Sequence, residues 1–171
     1  SNAMEIKLIN SNNFDQNFQK LLKAKKGKNI AKGRLDIEPI KLKAKAELII
    51  LLLSSLKLSA GITYKVLFWE EDAKIEDFFK FNFPNKKYVK ASSYKNGKQA
   101  GVIFVDDETL DTSFLKSILN NHFNFEMAKE PSQNIRVQLC ANLDDYIILL
   151  DIYDDRGLDI YYISPLIGAN L

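Results

Sequence analysis

Histidine and cysteine, which commonly supply a catalytic base, a nucleophile or a zinc ligand, occur once each in the chain, as His122 and Cys140. A zinc site built from such ligands needs about four of them, so the sequence excludes one. Any Ser–His–Asp or Cys–His enzyme would have to use His122, which lies in a polar stretch near a predicted helix end. Cys140 follows Leu139 in a predicted strand, a context typical of a small buried side chain rather than a nucleophile.

The phosphate-binding loops that many enzymes use are also missing from the sequence. Neither G-x-G-x-x-G nor G-x-x-x-x-G-K-[ST] occurs, and no stretch has the spacing of an EF-hand calcium loop. We therefore expect no catalytic residue of these classes and no bound cofactor. A magnesium or calcium site made of carboxylates alone stays open.

Carboxylates are the side chains that could still perform catalysis. They occur as adjacent pairs at three places, Asp106-Asp107, Asp144-Asp145 and Asp154-Asp155. Glycosidases and metal-dependent nucleases use such groups. Because neighbours on a strand point to opposite faces, adjacent pairs rarely converge on one substrate. We therefore expect a protein that is not an enzyme, with a carboxylate-dependent hydrolase or nuclease as the alternative.

Lysines offer a second alternative, which is a nucleic-acid-binding module. The stretch Lys20–Lys28 contains five lysines that could contact phosphates. Aromatic side chains for base stacking are not interleaved with them. The solvated outer face of an amphipathic helix is the simpler interpretation, so we expect no nucleic-acid partner.

Charge is distributed unevenly, although the net charge is only +2. Residues 1–50 carry a net +6 and residues 51–104 a net +4, whereas residues 105–171 carry a net −8. Such asymmetry can indicate a charged surface for a partner. If folding mixes these segments on the surface, the charge asymmetry disappears.

Four predicted helices follow from apolar residues that recur at helical spacing. In the first, Phe14, Phe18, Leu21 and Leu22 share one face after the N-capping stretch Ser11-Asn12-Asn13. The second spans about Ile40 to Leu58, and its longest apolar run, Leu48–Leu53, is far shorter than the ~20 residues that span a bilayer. The third and fourth are predicted over Ile75–Phe81 and Thr112–His122.

The strands are predicted from β-branched and aromatic runs between turn residues. Asn96-Gly97 is typical of a type I′ turn and joins Lys87–Tyr94 to Gln99–Val105 in a hairpin. Asp154–Gly157 joins a second hairpin, with Gly157 expected in a left-handed conformation. The predicted strands are Glu5–Ile9, Ile30–Ile37, Thr63–Trp69, Lys87–Tyr94, Gln99–Val105, Ile135–Cys140, Tyr146–Tyr153 and Leu158–Ile163.

Helices concentrated in the first half and antiparallel hairpins in the second predict an α+β fold, with the sheet packed on the helices. We interpret residues 1–3 as an expression-tag remnant and residues 4–171 as a single domain. A single cysteine and the lack of a signal-peptide pattern indicate a reducing, cytoplasmic location and no membrane partner.

The hairpin Asp154-Asp155-Arg156-Gly157-Leu158-Asp159 contains more than a turn requires. A hairpin needs the glycine and tolerates the first aspartate, but it needs neither Arg156 nor Asp159. An arginine beside three carboxylates can form bidentate pairs that hold the loop in one shape. We therefore interpret Asp154, Asp155, Arg156, Gly157 and Asp159 as structural residues.

The stretch Tyr153–Ile160 resembles the YDDRG-x-D-(V/I) hairpin of an uncharacterised family of small bacterial proteins. Members of that family also carry an upstream strand with an R-F-E-L-like segment. Gly33–Ile37 is similar, although Leu35-Asp36 departs from Phe-Glu. The order of elements agrees over the whole chain, but only the last hairpin is specific. The family has no established activity, and such proteins often resemble immunity proteins of contact-dependent and other polymorphic toxin systems.

This resemblance implies a protein that neutralises a cognate toxin, such as a nuclease, by binding it. An acidic surface would be steered to the basic cleft of such a toxin. The candidate partner-binding charges are Asp106, Asp107, Glu108, Asp111, Asp144 and Asp145. The candidate aromatic anchor is Trp69 or an exposed tyrosine.

Overall fold

The computed structural model of the protein describes residues 30–69, 74–95, 98–143 and 147–163. These ranges contain three helices, α1 (Leu42–Ser54), α2 (Lys74–Asn82) and α3 (Thr112–Glu126). They also contain seven strands: β1 (Ile30–Asp36), β2 (Leu58–Trp69), β3 (Val89–Lys95), β4 (Lys98–Asp107), β5 (Ile135–Leu143), β6 (Ile147–Ile152) and β7 (Gly157–Ile163). The predicted strand Glu5–Ile9, the predicted helix that contains Phe14 and the Lys20–Lys28 stretch lie outside the described residues.

The seven strands form one antiparallel sheet in the order β1-β7-β6-β5-β2-β4-β3. This architecture confirms the predicted α+β fold. Both predicted hairpins are present, since Lys95 pairs with Lys98 and Asp151 pairs with Asp159. The turn residues Asn96 and Gly97 lie outside the described residues.

The helices cover one face of the sheet, which we call the first face. In β2 the alternating residues Ile62, Tyr64, Val66 and Phe68 point to it and pack with buried side chains of all three helices. Removing each large apolar side chain from water contributes roughly 1.5–3 kcal/mol to stability. This burial holds the helices on the sheet.

The opposite face of the central strands, which we call the second face, is also shielded from solvent. Ile148 and Leu150 of β6 point to the first face, whereas Ile147 and Leu149 point to the second, and all four are buried. Burial on both faces removes the need for alternating polar residues. It explains why the sequence of β6 begins as an uninterrupted apolar run.

Two predicted helix ends differ from the structure. The helix predicted to reach Leu58 ends at Ser54, and Leu58 already begins β2. Local apolar periodicity continues through Leu56, so the sequence pattern hides the point at which sheet pairing begins. Conversely, α3 extends beyond His122 to Glu126.

The prediction for Gly157 is wrong. Its φ lies outside the left-handed region, and it is the first residue of β7. The reason for a glycine is space, because a Cβ at this position would lie 2.9 Å from Nη2 of Arg34 and 3.0 Å from the carbonyl oxygen of Leu35. Glycine therefore lets β1 and its arginine pass close to the start of β7.

We expect Gly157→Ala to lower the free energy of unfolding by about 1–2 kcal/mol, because the added methyl overpacks the contact with β1. Gly33→Ala is the matched control, since a Cβ at Gly33 would meet nothing within 4 Å. Urea unfolding of both variants checks this expectation. Equal stability of the two variants would contradict a spatial role for Gly157.

Candidate functional site

An open cleft of about 510 Å³ lies beside the end of β4. Four carboxylates and two lysines contribute to its walls. The lining residues are Asn82, Phe83, Pro84, Asn85, Lys86, Lys87, Asp106, Asp107, Glu108 and Asp111. The cleft thus brings together four of the carboxylates that the sequence singled out as candidate partner-binding charges.

Local structure places Asp107 and Asp111 close together. β4 ends at Asp107, and α3 begins at Thr112 with Asp111 as its N-cap. The Asp111 carboxylate accepts a hydrogen bond from the backbone N–H of Phe114 at 3.0 Å, which satisfies a free donor of the first helical turn. The short connection between strand and helix therefore holds both carboxylates at one wall of the cleft.

Lys86 lies between these two carboxylates. Its Nζ donates hydrogen bonds to Oδ2 of Asp107 at 2.9 Å and to Oδ2 of Asp111 at 2.8 Å. The same ammonium lies 4.7 Å from the ring centroid of Phe114. Phe83 packs edge-on against Phe114 at 4.9 Å, so an aromatic cluster supports the loop that carries Lys86.

The pKa shifts of Asp111 and Lys86 both favour the ionised forms of these two side chains. The hydrogen bond from Lys86, followed by that from the N–H of Phe114, lowers the pKa of Asp111. Burial by itself would lower the pKa of Lys86, but its hydrogen bonds to Asp111 and Asp107 raise that pKa. A carboxylate with a lowered pKa is a weak general base, so the group is better suited to binding than to proton transfer.

The adjacent aspartates at the end of β4 diverge, as strand geometry requires. Asp106 shares the second face with Thr63, whose Oγ1 donates a hydrogen bond to Oδ1 of Asp106 at 2.5 Å. Asp107 turns toward Lys86. In the described part of the chain no three His, Cys, Asp or Glu side chains are grouped closely enough to hold a metal ion.

We expect Lys86→Met to lower the free energy of unfolding at pH 7 by about 1–3 kcal/mol, because it leaves two carboxylates without their shared cation. The lowered pKa of Asp111 contributes stability that is present above the ordinary carboxyl pKa and is lost as the pH falls. The difference from the wild type should therefore shrink below about pH 4.

Urea unfolding at pH 7 and at pH 3 checks this prediction. Lys87→Met is the control, since Lys87 is exposed in the same cleft and no ion pair is found for it among the described residues. Unchanged stability of Lys86→Met at pH 7 would show that the paired carboxylates do not depend on Lys86.

The other predicted partner-binding residues lie elsewhere or outside the described residues. Asp144 and Asp145 are outside the described residues. The end of β5 and the start of β6, which flank them, lie at the same end of the sheet as the end of β4, because Ile62 of β2 pairs with both Asp107 and Ala141. Trp69 pairs with Ala100 at the opposite end and is only partly exposed. The structure therefore separates Trp69 from the acidic cleft.

Phe81, a residue that the sequence analysis missed, is 86% exposed on α2 and immediately precedes the cleft-lining segment. The spacing of the apolar residues along the helix could have identified Phe81 as exposed. Ile75, Phe78 and Phe79 recur at i, i+3 and i+4 and pack inward, which leaves Phe81 off that face. Phe78 and Phe83 meet edge-on at 5.7 Å, so the part of α2 that presents Phe81 is well supported.

The carboxylates of the Asp154–Asp159 hairpin bind cations of the same chain. Asp154 Oδ2 accepts from Nη2 and Nε of Arg156 at 2.7 and 3.1 Å. Asp155 lies 3.7 Å from Nζ of the buried Lys45, which also donates to the Asp155 carbonyl oxygen. Lys32 lies 3.7 Å from Asp159. These pairs agree with a structural role for the hairpin.

The two stretches that carry the family resemblance are neighbours in the sheet. β1 pairs with β7 so that Arg34 opposes Asp159 and Asp36 opposes Gly157. The backbone N–H of Ile37 donates to the carbonyl oxygen of Arg156 at 2.9 Å. The arginine-bearing strand and the hairpin thus form one unit at the end of the sheet opposite the cleft.

His122 and Cys140 are both buried. Nδ1 of His122 lies 2.6 Å from the carbonyl oxygen of Ile135 and must carry the proton, because a carbonyl only accepts. Burial lowers the pKa of His122, against the opposing effects of this hydrogen bond and of Asp154. Burial also raises the pKa of the Cys140 thiol. Both groups are therefore held in their neutral forms at neutral pH, away from solvent.

We expect stability to fall as the pH drops below the ordinary histidine pKa, because the unfolded chain then binds a proton that folded His122 resists. The slope should not exceed about 1.4 kcal/mol per pH unit between roughly pH 6.5 and 5.5. Urea unfolding across this range measures the slope, and His122→Gln should abolish it. Since the chain has one histidine, an NMR titration giving a pKa above the ordinary value would refute this explanation.

No protein-family model, curated protein or solved structure matches the chain. Within the described ranges, the helices are too short or too polar to cross a membrane.

Proposed function

We propose that this protein is an immunity-type inhibitor that binds and neutralises a cognate bacterial toxin in the cytoplasm. The observation that carries the proposal is the fixed group of Asp107, Lys86 and Asp111 in the wall of an open cleft. The family resemblance of the Tyr153–Ile160 hairpin supports the same function. Binding, rather than turnover, is the activity that this arrangement of charges serves best.

Electrostatic complementarity is the physical basis of the proposed recognition. Glu108 is exposed at the mouth of the cleft, beside Asp106 and Asp107. Toxins that cut nucleic acids need basic surfaces to hold phosphates, and an acidic surface is attracted to such a site from a distance. Because the acidic surface carries negative charge, as the phosphates of a nucleic acid do, the inhibitor could occupy the substrate-binding cleft of a nuclease toxin.

Exposed Phe81 supplies an apolar contact beside these charges. Binding energy at protein interfaces concentrates in a few aromatic or arginine side chains that enter pockets of the partner. Because Phe81 is presented on a helix, its backbone is already ordered, and binding has to immobilise only its side chain. In the proposed interface Phe81 takes the role of anchor that the sequence analysis gave to Trp69.

A carboxylate-dependent hydrolase is the second candidate, and the concave shape of the cleft favours it. General acid–base catalysis in the cleft would be most efficient with a carboxyl group whose pKa lies near neutrality. Asp111 has a lowered pKa and binds Lys86, which argues against that role. The inhibitor is therefore the better supported function.

The test uses the protein encoded immediately upstream of this one, expressed with its C-terminal domain. We expect a stable one-to-one complex in which the toxic activity of that domain is lost. Glu108→Lys should slow association by about tenfold at low salt, because it removes attraction at the cleft. Glu38→Lys is the matched control, since Glu38 is exposed beyond β1 at the other end of the sheet.

Stopped-flow association at two salt concentrations measures this effect. Absence of a complex, or full toxic activity within the complex, would overturn the proposed function. Equal association rates for Glu108→Lys and Glu38→Lys would instead show that the complex forms away from the cleft.

A further inference from the structure

The second face of the sheet is buried without help from the described helices. Val102 on β4 is 3% exposed, and Cys140 on β5 and Leu149 on β6 are 0% exposed. Cys140 and Leu149 are register partners on adjacent strands. These side chains alternate with those that meet α1, α2 and α3, so they point away from the helices.

A bare sheet face leaves side chains of this size substantially exposed to solvent, so their burial requires a covering layer. The buried area extends across β4, β2, β5 and β6, three interstrand spacings or roughly 14 Å. A cover of this width needs several large apolar side chains. Since these side chains are buried in a single chain, the cover must come from a part of that chain beyond the described ranges.

We infer that the second face is the docking surface for the segment that precedes β1, and in particular for Phe14, Phe18, Leu21 and Leu22. This segment joins the described fold at Ile30, where β1 forms one edge of the sheet. The four apolar residues recur at i, i+4, i+7 and i+8, which gives a single apolar face. A helix over these nine residues would be about 13 Å long, close to the width of the buried area.

The pattern and the number of apolar residues favour this occupant over the segment after β7. The lysines at 20 and 23 fall off the apolar face of the pattern and would point to water while the apolar side chains meet the sheet. The eight residues after Ile163 offer only Leu166, Ile167 and Leu171 as large apolar side chains. The segment before β1 therefore matches the second face better in both length and pattern.

The single cysteine provides a specific test, because Cys140 lies on the second face and no other thiol contributes to the signal. We expect Phe18→Asp in the full chain to accelerate the reaction of Cys140 with a soluble aromatic disulfide by about tenfold or more. Gln16→Asp is the matched control, since it adds the same charge on the opposite side of the predicted helix. In Gln16→Asp the Cys140 thiol should react as slowly as in the wild type.

Circular dichroism and thermal unfolding establish that each variant is folded. If Phe18→Asp does not fold, Phe18→Ala replaces it, and we expect a smaller increase in the reactivity of the Cys140 thiol. An unchanged thiol in folded Phe18→Asp and Phe18→Ala would overturn the inference. So would exposure of the thiol by Leu166→Asp alone, which would make the C-terminal segment the cover. Protection that disappears on dilution of the wild type would also overturn it, in favour of a second copy.

Discussion

Burial of the central strands on both faces is the constraint on which the rest of the structure depends. β2, β5 and β6 lie in the middle of the sheet, and most of their described side chains are buried. Ionised groups in such strands are costly unless they are paired. Asp151 is the buried carboxylate of these strands, and Arg136 binds it in a bidentate manner at 2.6 and 3.0 Å, with Gln138 as a further donor.

This constraint moves most of the charge to the ends of the strands. At one end, the Asp154–Asp159 hairpin binds Arg156, Lys45 and Lys32 of its own chain, so its charges serve the fold. At the other end, Lys86 joins two carboxylates in the wall of an open cleft, and exposed Glu108 lies beside them. The two ends thus differ in what their charges can offer to a partner.

Local sequence chemistry was sufficient to predict the class of fold and both hairpins. Asn96-Gly97 and the Asp154–Gly157 loop each separate two strand-like runs, and neighbouring strands then pair because they are connected by short turns. The role of Gly157 could not be predicted, because it depends on Arg34, a residue more than a hundred positions away that becomes its neighbour only in the sheet. The end of α1 was missed for a similar reason, since pairing of β2 with β5 overrides a continuous apolar pattern.

The candidate site was predicted in part. Asp106, Asp107, Glu108 and Asp111 are close in sequence, so their convergence needs only a strand end followed by a helix cap. Phe81 lies near the end of α2 and Lys86 in the connection that follows it, and no local pattern shows which loop reaches the end of β4. Trp69 lies away from the cleft because the direction of β2 puts its last residue at the far end of the sheet, and its role as an anchor stays a prediction.

The central proposal is that the cleft is a charged binding surface rather than a catalytic centre. Carbon-13 NMR titration of the aspartate and glutamate side chains in the free protein tests this claim most directly. The hydrogen bonds from Lys86 and from the N–H of Phe114 predict a pKa for Asp111 below the ordinary aspartate value. A pKa for Asp111 raised toward neutrality would contradict the claim and would favour general acid–base catalysis in the cleft.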